Sequence, residues 1–86
     1  LRRGAAEAIE IIARGDETTS RVVGRRIEAL DLPRGTTIGA ILRDDELLIA
    51  HHDTVIQSDD HVVLFLTDKH RIGEIEQLFS VGFGFF

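Results

Sequence analysis

The chain contains no cysteine and is only 86 residues long. Without cysteine, neither a disulfide nor a thiolate-bound zinc ion can hold a small fold together. A chain of this length makes one domain and buries only about 60% of the surface that its unfolded form exposes. The core is therefore limited, and we expect association with further copies to add stability.

Long hydrophobic runs are also absent. No stretch approaches the roughly 20 apolar residues that span a bilayer, and the N-terminus has no features of a signal peptide. The chain starts at Leu1 rather than at methionine, so we expect it to be processed or to be a piece of a longer protein. The absence of cysteine fits a cytoplasmic origin.

Positive charge is scarce and unevenly distributed over a chain of net charge −5. The first 43 residues hold eight Arg against six acidic residues, whereas the second 43 hold two basic against nine acidic residues. Nucleic-acid phosphates are bound by clustered Lys and Arg side chains. The sequence therefore predicts no nucleic-acid partner.

Catalytic and nucleotide-binding motifs are absent too. No G-x-S-x-G elbow surrounds a serine, and neither G-x-G-x-x-G nor G-x-x-x-x-G-K-[ST] occurs. Ser58, Asp60 and His61 are the residue types of a catalytic triad, but residues this close along a strand do not converge. We predict no catalytic residue and no enzymatic activity.

Two short clusters, "HHD" at 51–53 and "DDH" at 59–61, raise the question of a metal site. Neighbouring side chains in a strand point to opposite faces, so His51 and His52 do not easily converge on one ion. Zinc sites place His at i and i+4 on a helix, or pair Cys with His at ligand spacing, and neither pattern occurs. We predict two polar turns and no metal ligands, with a metal-regulated module as the weaker alternative.

The first third of the chain gives one ambiguous and one helical pattern. Residues 4–15 fit a helix by composition and a strand by alternation. Residues 21–30 place apolar side chains at helical spacing, with Ser20 as a candidate N-terminal cap and Gly24 as a weak point. This stripe consists of Val23, Ile27 and Leu30. A turn at Pro33 ends the predicted helix.

From Thr36 the apolar pattern has a period of two, which is typical of strands. The predicted strands are 36–43, 46–50, 54–57 and 61–67. Asp44 and Asp45 form a tight turn between the first two. Residues 62–66 are apolar on both faces, so we expect both faces of this strand to be covered.

A final helix follows, with Thr67 or Asp68 as its cap. Its apolar stripe is formed by Ile72, Ile75, Leu78 and Phe79. The segment 80–86 is a Phe/Gly-rich tail, and two interpretations stay open for it, docking on a partner and fraying.

The order of these pieces resembles a known family. "VVGRRIEALDLP", "GTTIGAILRDDELLIA", "DTVIQSDDHVVLFLTD" and "IGEIEQLF" follow one another as in the RCK_C or TrkA-C domain, the C-terminal subdomain of cytoplasmic regulators of potassium conductance. "LRRGAAEAIE", "SRVVGR", "LPRGTTIGAI" and "DHVVLFLTDK" are most similar to the peripheral subunits of bacterial Trk potassium-uptake systems. "LFSVGFGFF" resembles the C-terminus of those subunits.

The resemblance implies an α+β fold, a small mostly antiparallel sheet of order β-α-β-β-β-β-α with two helices, paired as a dimer through the sheet. It favours a strand at residues 6–13 and places 62–66 at the centre of the sheet. Family members commonly carry Gly-Asp where this chain has Asp59-Asp60. Asp59 would tolerate a positive φ in that turn at modest cost.

The resemblance also implies a function. Residues 1–86 would be a single regulatory domain of a longer protein, located in the cytoplasm and peripheral to the cytoplasmic face of the inner membrane. The domain would form a homodimer and relay nucleotide-driven conformational change to a potassium-transporting membrane subunit. We expect no cofactor in this domain, because NAD(H) or ATP binds the Rossmann-like RCK_N half that precedes it in the family.

The alternative function is ligand sensing. Some relatives bind cyclic di-AMP or another small molecule at the dimer cleft, using a basic residue near the end of the strand that matches 38–43. Arg43 is the candidate for that position in this chain. Three acidic residues follow it and would repel phosphate, which weakens the alternative.

Overall fold

The computed structural model describes residues 6–82. Its elements are the strands β1 (Glu7–Ile12), β2 (Thr36–Arg43), β3 (Glu46–Ile49) and β4 (His61–Leu66), and the helix α1 (Ile72–Leu78). The strands form one sheet in the order β1-β4-β2-β3, and every neighbouring pair is antiparallel. The predicted α+β fold with a small antiparallel sheet is confirmed.

Strand β4 lies in the interior of the sheet, as predicted, and it organises the core. Val62, Leu64 and Leu66 point to one face and are almost fully buried. The buried residues packed with them are Ala13, Val22, Val23, Ile38, Ile41, Ile56, Ile75 and Phe79. Helix α1 therefore covers one face of the sheet, which we call the covered face.

The strand expected at the start of the chain is also present. Residues Glu7 to Ile12 pair with β4 over the whole length of β1. Ile9 and Ile11 pack against the core, while Ala8 and Glu10 are exposed on the other side. The period-two interpretation that the family resemblance favoured is the correct one.

The helix predicted over residues 21–30 does not form; a short 3-10 turn at Ile27–Ala29 is the only helical structure there. Ser20 Oγ does accept from the amides of Val22 and Val23, at 3.1 Å each. Gly24 then adopts φ +83°, a left-handed conformation that ends any helix at this point.

The backbone from Gly24 to Glu28 forms hydrogen bonds with residues 52–56. Gly24 N donates to Ile56 O at 2.7 Å, Ile56 N to Arg25 O at 3.0 Å, and Ile27 N to Thr54 O at 2.9 Å. The strand predicted at 54–57 is reduced by this pairing to one bridge, between Arg26 and Val55. In the described part of the chain there are thus four strands and one α-helix rather than five and two.

The cluster 51–53 forms a turn, and the cluster 59–61 lies at a turn that leads into β4, so both predicted polar turns are confirmed. The hairpin turn predicted between β2 and β3 is also present. Asp44 and Asp45 have φ 49° and 66°, the pair of positive values that a two-residue hairpin with right-handed strand twist requires. Asp59 has φ 69°, so it adopts the positive φ that the family resemblance implied for this turn. The hairpin turn at 44–45 and the turn at Asp59 both use the tolerance of Asp for left-handed backbone.

The final helix begins as predicted. The side chain of Asp68 accepts from the backbone N–H of His70 at 3.0 Å and caps a 3-10 turn at Lys69–Arg71, which leads into α1. Ile75 and Phe79 from the predicted stripe are buried. Of the predicted tail, Val81 bridges to Ser20, and residues 83–86 lie outside the described residues.

A bulge in β2 shapes the second face of the sheet. The register between β2 and β4 shifts between Ile38 and Ala40. A Cβ at Gly39 would approach the ring of Phe65 within 2.2 Å, so the ring lies directly over this glycine. Glycine is needed here because the aromatic ring approaches the backbone closely.

Candidate functional site

Arg43, the one ligand candidate that the sequence offers, is held by an ion pair. It ends β2, and its side chain meets Asp60, which immediately precedes β4. The guanidinium donates from Nε to Asp60 Oδ1 at 2.8 Å and from Nη2 to Asp60 Oδ2 at 2.7 Å. This is the two-point geometry in which Arg binds a carboxylate most strongly.

Asp60 is the buried charged residue of the described chain, with 1% of its surface exposed. Besides the two bonds from Arg43, its Oδ2 accepts from the backbone N–H of Gln57 at 2.8 Å. Arg43 Nη2 also donates to Val55 O at 3.0 Å. The pair therefore pins the segment 55–60 against the end of β2, and buried charges are tolerated only when they are satisfied in this way.

The electrostatics of the pair follow from this geometry. The hydrogen bond to Asp60 raises the pKa of Arg43 above its ordinary value, and partial burial opposes the rise. The side chain of Arg43 keeps 23% of its surface exposed. An incoming phosphate would have to compete with the Asp60 carboxylate for the same guanidinium edge.

The histidines of the two polar clusters do not come together. His52 pairs with Glu28 at 2.7 Å and His61 with Glu10 at 2.5 Å, while the backbone N–H of His51 donates to Thr54 Oγ1. Hydrogen bonding to Glu28 raises the pKa of His52 and lowers that of Glu28. Over residues 6–82, no three His, Asp or Glu side chains are grouped as metal ligands.

The second face of the sheet is largely apolar and uncovered, and we call it the open face. By register and alternation its apolar members are Ala8, Ile12, Ala40, Leu42, Leu47, Ile49, Val63 and Phe65. Leu47 and Ile49 are 62% and 65% exposed, and Phe65 is 48% exposed. Monomeric proteins rarely expose large contiguous apolar patches, so a patch of this kind marks an interaction site.

The expectation that both faces of β4 are covered is met within residues 6–82 on one face only, and cover of the second face stays a prediction. The covered face packs against α1, but the open face has no element of residues 6–82 over it. The sequence signal was present, since residues 62–66 are apolar on both sides. It could not distinguish cover by this chain from cover by another molecule.

Surface depressions of the described chain include the following two. One, of about 360 Å³, lies between α1 and the turn at Pro33, and the other, of about 300 Å³, lies beside Gly24. No helix among residues 6–82 is long and apolar enough to cross a membrane.

Comparison with known proteins identifies the fold. The TrkA-C domain family matches residues 10–80. The chain belongs to the TrkA-C domain family. The resemblance inferred from the order of the sequence motifs is thereby confirmed.

Similar TrkA-C domains occur at the end of longer potassium-uptake proteins. The chain is 63% identical over 86 residues to the Trk system potassium uptake protein TrkA of Halomonas elongata, covering all of this chain and 19% of that protein. It is also 63% identical over 80 residues to TrkA of Vibrio alginolyticus, covering 93% of this chain and 18% of that protein. The chain thus spans about a fifth of the length of these relatives.

A solved structure shows the same TrkA-C architecture. The RCK_C domain dimer of S. agalactiae BusR in complex with c-di-AMP superposes with a TM-score of 0.67 at 27% identity. The match covers 84% of this chain and 93% of that chain.

Proposed function

We propose that this chain is a non-enzymatic regulatory domain of a potassium-uptake subunit, and that it dimerises through the open face of its sheet. The observation that carries the proposal is the uncovered apolar face on a TrkA-C domain. Burying half-exposed side chains such as Leu47, Ile49 and Phe65 against a second copy removes apolar surface from water, which favours association.

The longer protein sets the role of this dimer. NAD(H) or ATP would bind in a Rossmann-like half preceding this domain, and the dimer would carry the resulting movement to a potassium-transporting membrane subunit. In this proposal the protein is cytoplasmic and peripheral to the inner membrane, and it has no nucleic-acid partner. A rigid dimer can transmit this movement, because an effector shifts the equilibrium between two packed arrangements of the protein instead of deforming it continuously.

The first test is the solution mass of the chain, measured by light scattering. We expect a dimer for the native chain and a monomer for Ile49→Lys, since a buried lysine at the twofold interface would be unpaired. Val55→Lys is the matched control, because Val55 is also an exposed apolar residue but lies outside the sheet. A monomeric native chain, or an Ile49→Lys variant that still dimerises, would refute the proposed interface.

The second test uses the longer potassium-uptake protein with the same substitutions. Ile49→Lys should abolish the dependence of potassium uptake on nucleotide, while Val55→Lys should preserve it. If Ile49→Lys leaves the nucleotide dependence of potassium uptake unchanged, the open face takes no part in the relay.

A second candidate function is sensing of a cyclic dinucleotide at the dimer cleft. It is favoured by the bound c-di-AMP in the BusR domain, which has the same fold. Against it stands the engagement of Arg43 with Asp60. Titration of c-di-AMP and ATP onto the chain decides between the two, since a change in mass or melting temperature with either would make the domain a sensor.

A further inference from the structure

Among the described strand residues, Glu10 and His61 are the two titratable side chains at open-face positions. Glu10 on β1 and His61 on β4 meet diagonally across the two strands, with His61 Nδ1 2.5 Å from Glu10 Oε2. Their side chains are 51% and 41% exposed. His61 is flanked by Ile12 on β1 and Leu42 on β2, so the pair borders the apolar patch directly.

Other charged groups near the pair lie at covered-face strand positions or are held in ion pairs at the adjoining turn. By alternation the charged strand residues on the covered-face side are Glu7, Arg43 and Glu46. In the turn before β4, Asp59 pairs with Arg14, and Asp60 pairs with Arg43. Among the described residues, the open-face positions of β2 and β3 carry no charge.

We propose that Glu10 and His61 form a proton-binding site at the dimer interface, so that two copies associate more tightly through the open face as the pH falls. The inference rests on the proposed function, because it requires the open face to be the interface. It adds a regulatory property to that interface, namely that proton uptake and dimerisation are coupled.

The coupling follows from the charge that is brought to the interface. With His61 neutral, the negative charge of Glu10 next to the apolar patch is not balanced by a positive charge. Dimerisation then removes water from the Glu10 carboxylates of both copies at the interface. With His61 protonated, the pair has no net charge and its members satisfy each other. Removing water from an unpaired carboxylate costs far more than from a compensated pair, and like charges facing each other add to the cost.

Because histidine is the side chain that most often changes its charge between about pH 5 and 8, the test covers this range. The dissociation constant of the native dimer, measured by sedimentation equilibrium, should fall by at least about tenfold between about pH 7.5 and 5.5. By linkage, a dimer that takes up protons on forming must be favoured by acid.

Two substitutions should change this dependence in different ways. Glu10→Gln should reverse it, because acidification then places an unpaired imidazolium at the interface. His61→Gln should give a weak dimer at every pH, because Glu10 stays charged without a partner. Both positions are about half exposed, so both variants should fold.

The matched control is His52→Gln. His52 also pairs with a carboxylate, that of Glu28, but both residues lie outside the strands. This variant should keep the native pH dependence of dimerisation. Acidification also reduces the net charge of −5, and any general effect of that change on association is the same in the variant and in the native chain. Circular dichroism at each pH establishes that all variants remain folded.

The outcomes separate this proposal from the one on which it rests. A native dimer that Ile49→Lys disrupts but whose dissociation constant does not change with pH overturns the proton-binding site and leaves the interface standing. The same holds if Glu10→Gln retains the native dependence. A chain that stays monomeric at every pH overturns both.

Discussion

At the scale of single residues, Asp59 and Asp60 show what sequence can and cannot predict. Both were expected in a polar turn, and both lie in one. Asp59 is exposed and pairs loosely with Arg14, whereas Asp60 is 1% exposed and holds Arg43. Turn chemistry is local and could be predicted, but the contact of Asp60 with Arg43 depends on β2 and β4 being neighbours.

The adjacent aspartates give a matched pair of variants. Asp60→Asn should lower the free energy of unfolding by about 2–3 kcal/mol, because Arg43 loses its counter-ion in a partly buried site. Asp59→Asn should change it by less than about 0.5 kcal/mol, since its ion pair is exposed and Asn also tolerates positive φ. Urea unfolding measures both values, and equal losses would contradict the structural difference between the two sites.

The pair of His52 and Glu28 predicts a pH-dependent contribution to stability. The pKa of His52 is raised above its ordinary 6.5 and that of Glu28 is lowered below its ordinary 4.5, mainly by their mutual hydrogen bond. The contribution is therefore fully present between these ordinary values. It is lost as the pH rises through the raised pKa of His52, and also as it falls through the lowered pKa of Glu28.

The check is the difference in melting temperature between the native chain and His52→Gln. This difference should be greatest at about pH 5.5 and should vanish once the pH exceeds the raised pKa of His52. His51→Gln is the control, because the neighbouring ring is exposed and its backbone rather than its side chain makes the local bond. A difference that is constant over the range would contradict the prediction.

At the scale of elements, the helix predicted at 21–30 failed for a specific physical reason. The apolar spacing was informative about burial, since Val23 is buried and Ile27 and Leu30 pack against the core. It was misleading about conformation, because the amides of Gly24 and Ile27 bond to carbonyls of residues 54–56. Tertiary pairing between distant segments overrides local propensity and cannot be inferred from a window of ten residues.

Substitution of Gly24 distinguishes the predicted helix from the observed left-handed conformation, because the two predict opposite changes in stability for Gly24→Ala. In a helix, Gly24→Ala would stabilise the protein by up to about 1 kcal/mol. In the structure it should destabilise it by more than about 1 kcal/mol, because φ is +83° and a Cβ would lie 2.5 Å from Glu17 Cγ.

Gly73 is the control for that measurement. It lies within α1, and a Cβ at this position would have no atom within 4 Å. Gly73→Ala should therefore stabilise the chain by roughly 0.5–1 kcal/mol. Thermal or urea unfolding of the two variants side by side shows whether Gly24 is left-handed, and a stabilising Gly24→Ala would refute the structure around residue 24.

At the scale of the whole molecule, the order of the motifs predicted the family, the antiparallel sheet and the central position of β4. What covers the second face could not be predicted from β4 alone, because its sequence pattern is the same whether that face is covered by its own chain or by another. A chain of 86 residues has little core to spare. An apolar open face therefore links the stability of the fold to its association.

That link predicts a melting temperature that depends on protein concentration. If the folded dimer unfolds to separate chains, dilution shifts the equilibrium toward unfolding by mass action, so the melting temperature of the native chain should fall on dilution. Ile49→Lys should melt at one temperature regardless of concentration, because its folded form is already monomeric. Val55→Lys, with the same added charge outside the sheet, should keep the native dependence. If differential scanning calorimetry finds no concentration dependence for the native chain, its dimerisation contributes nothing to stability in that range.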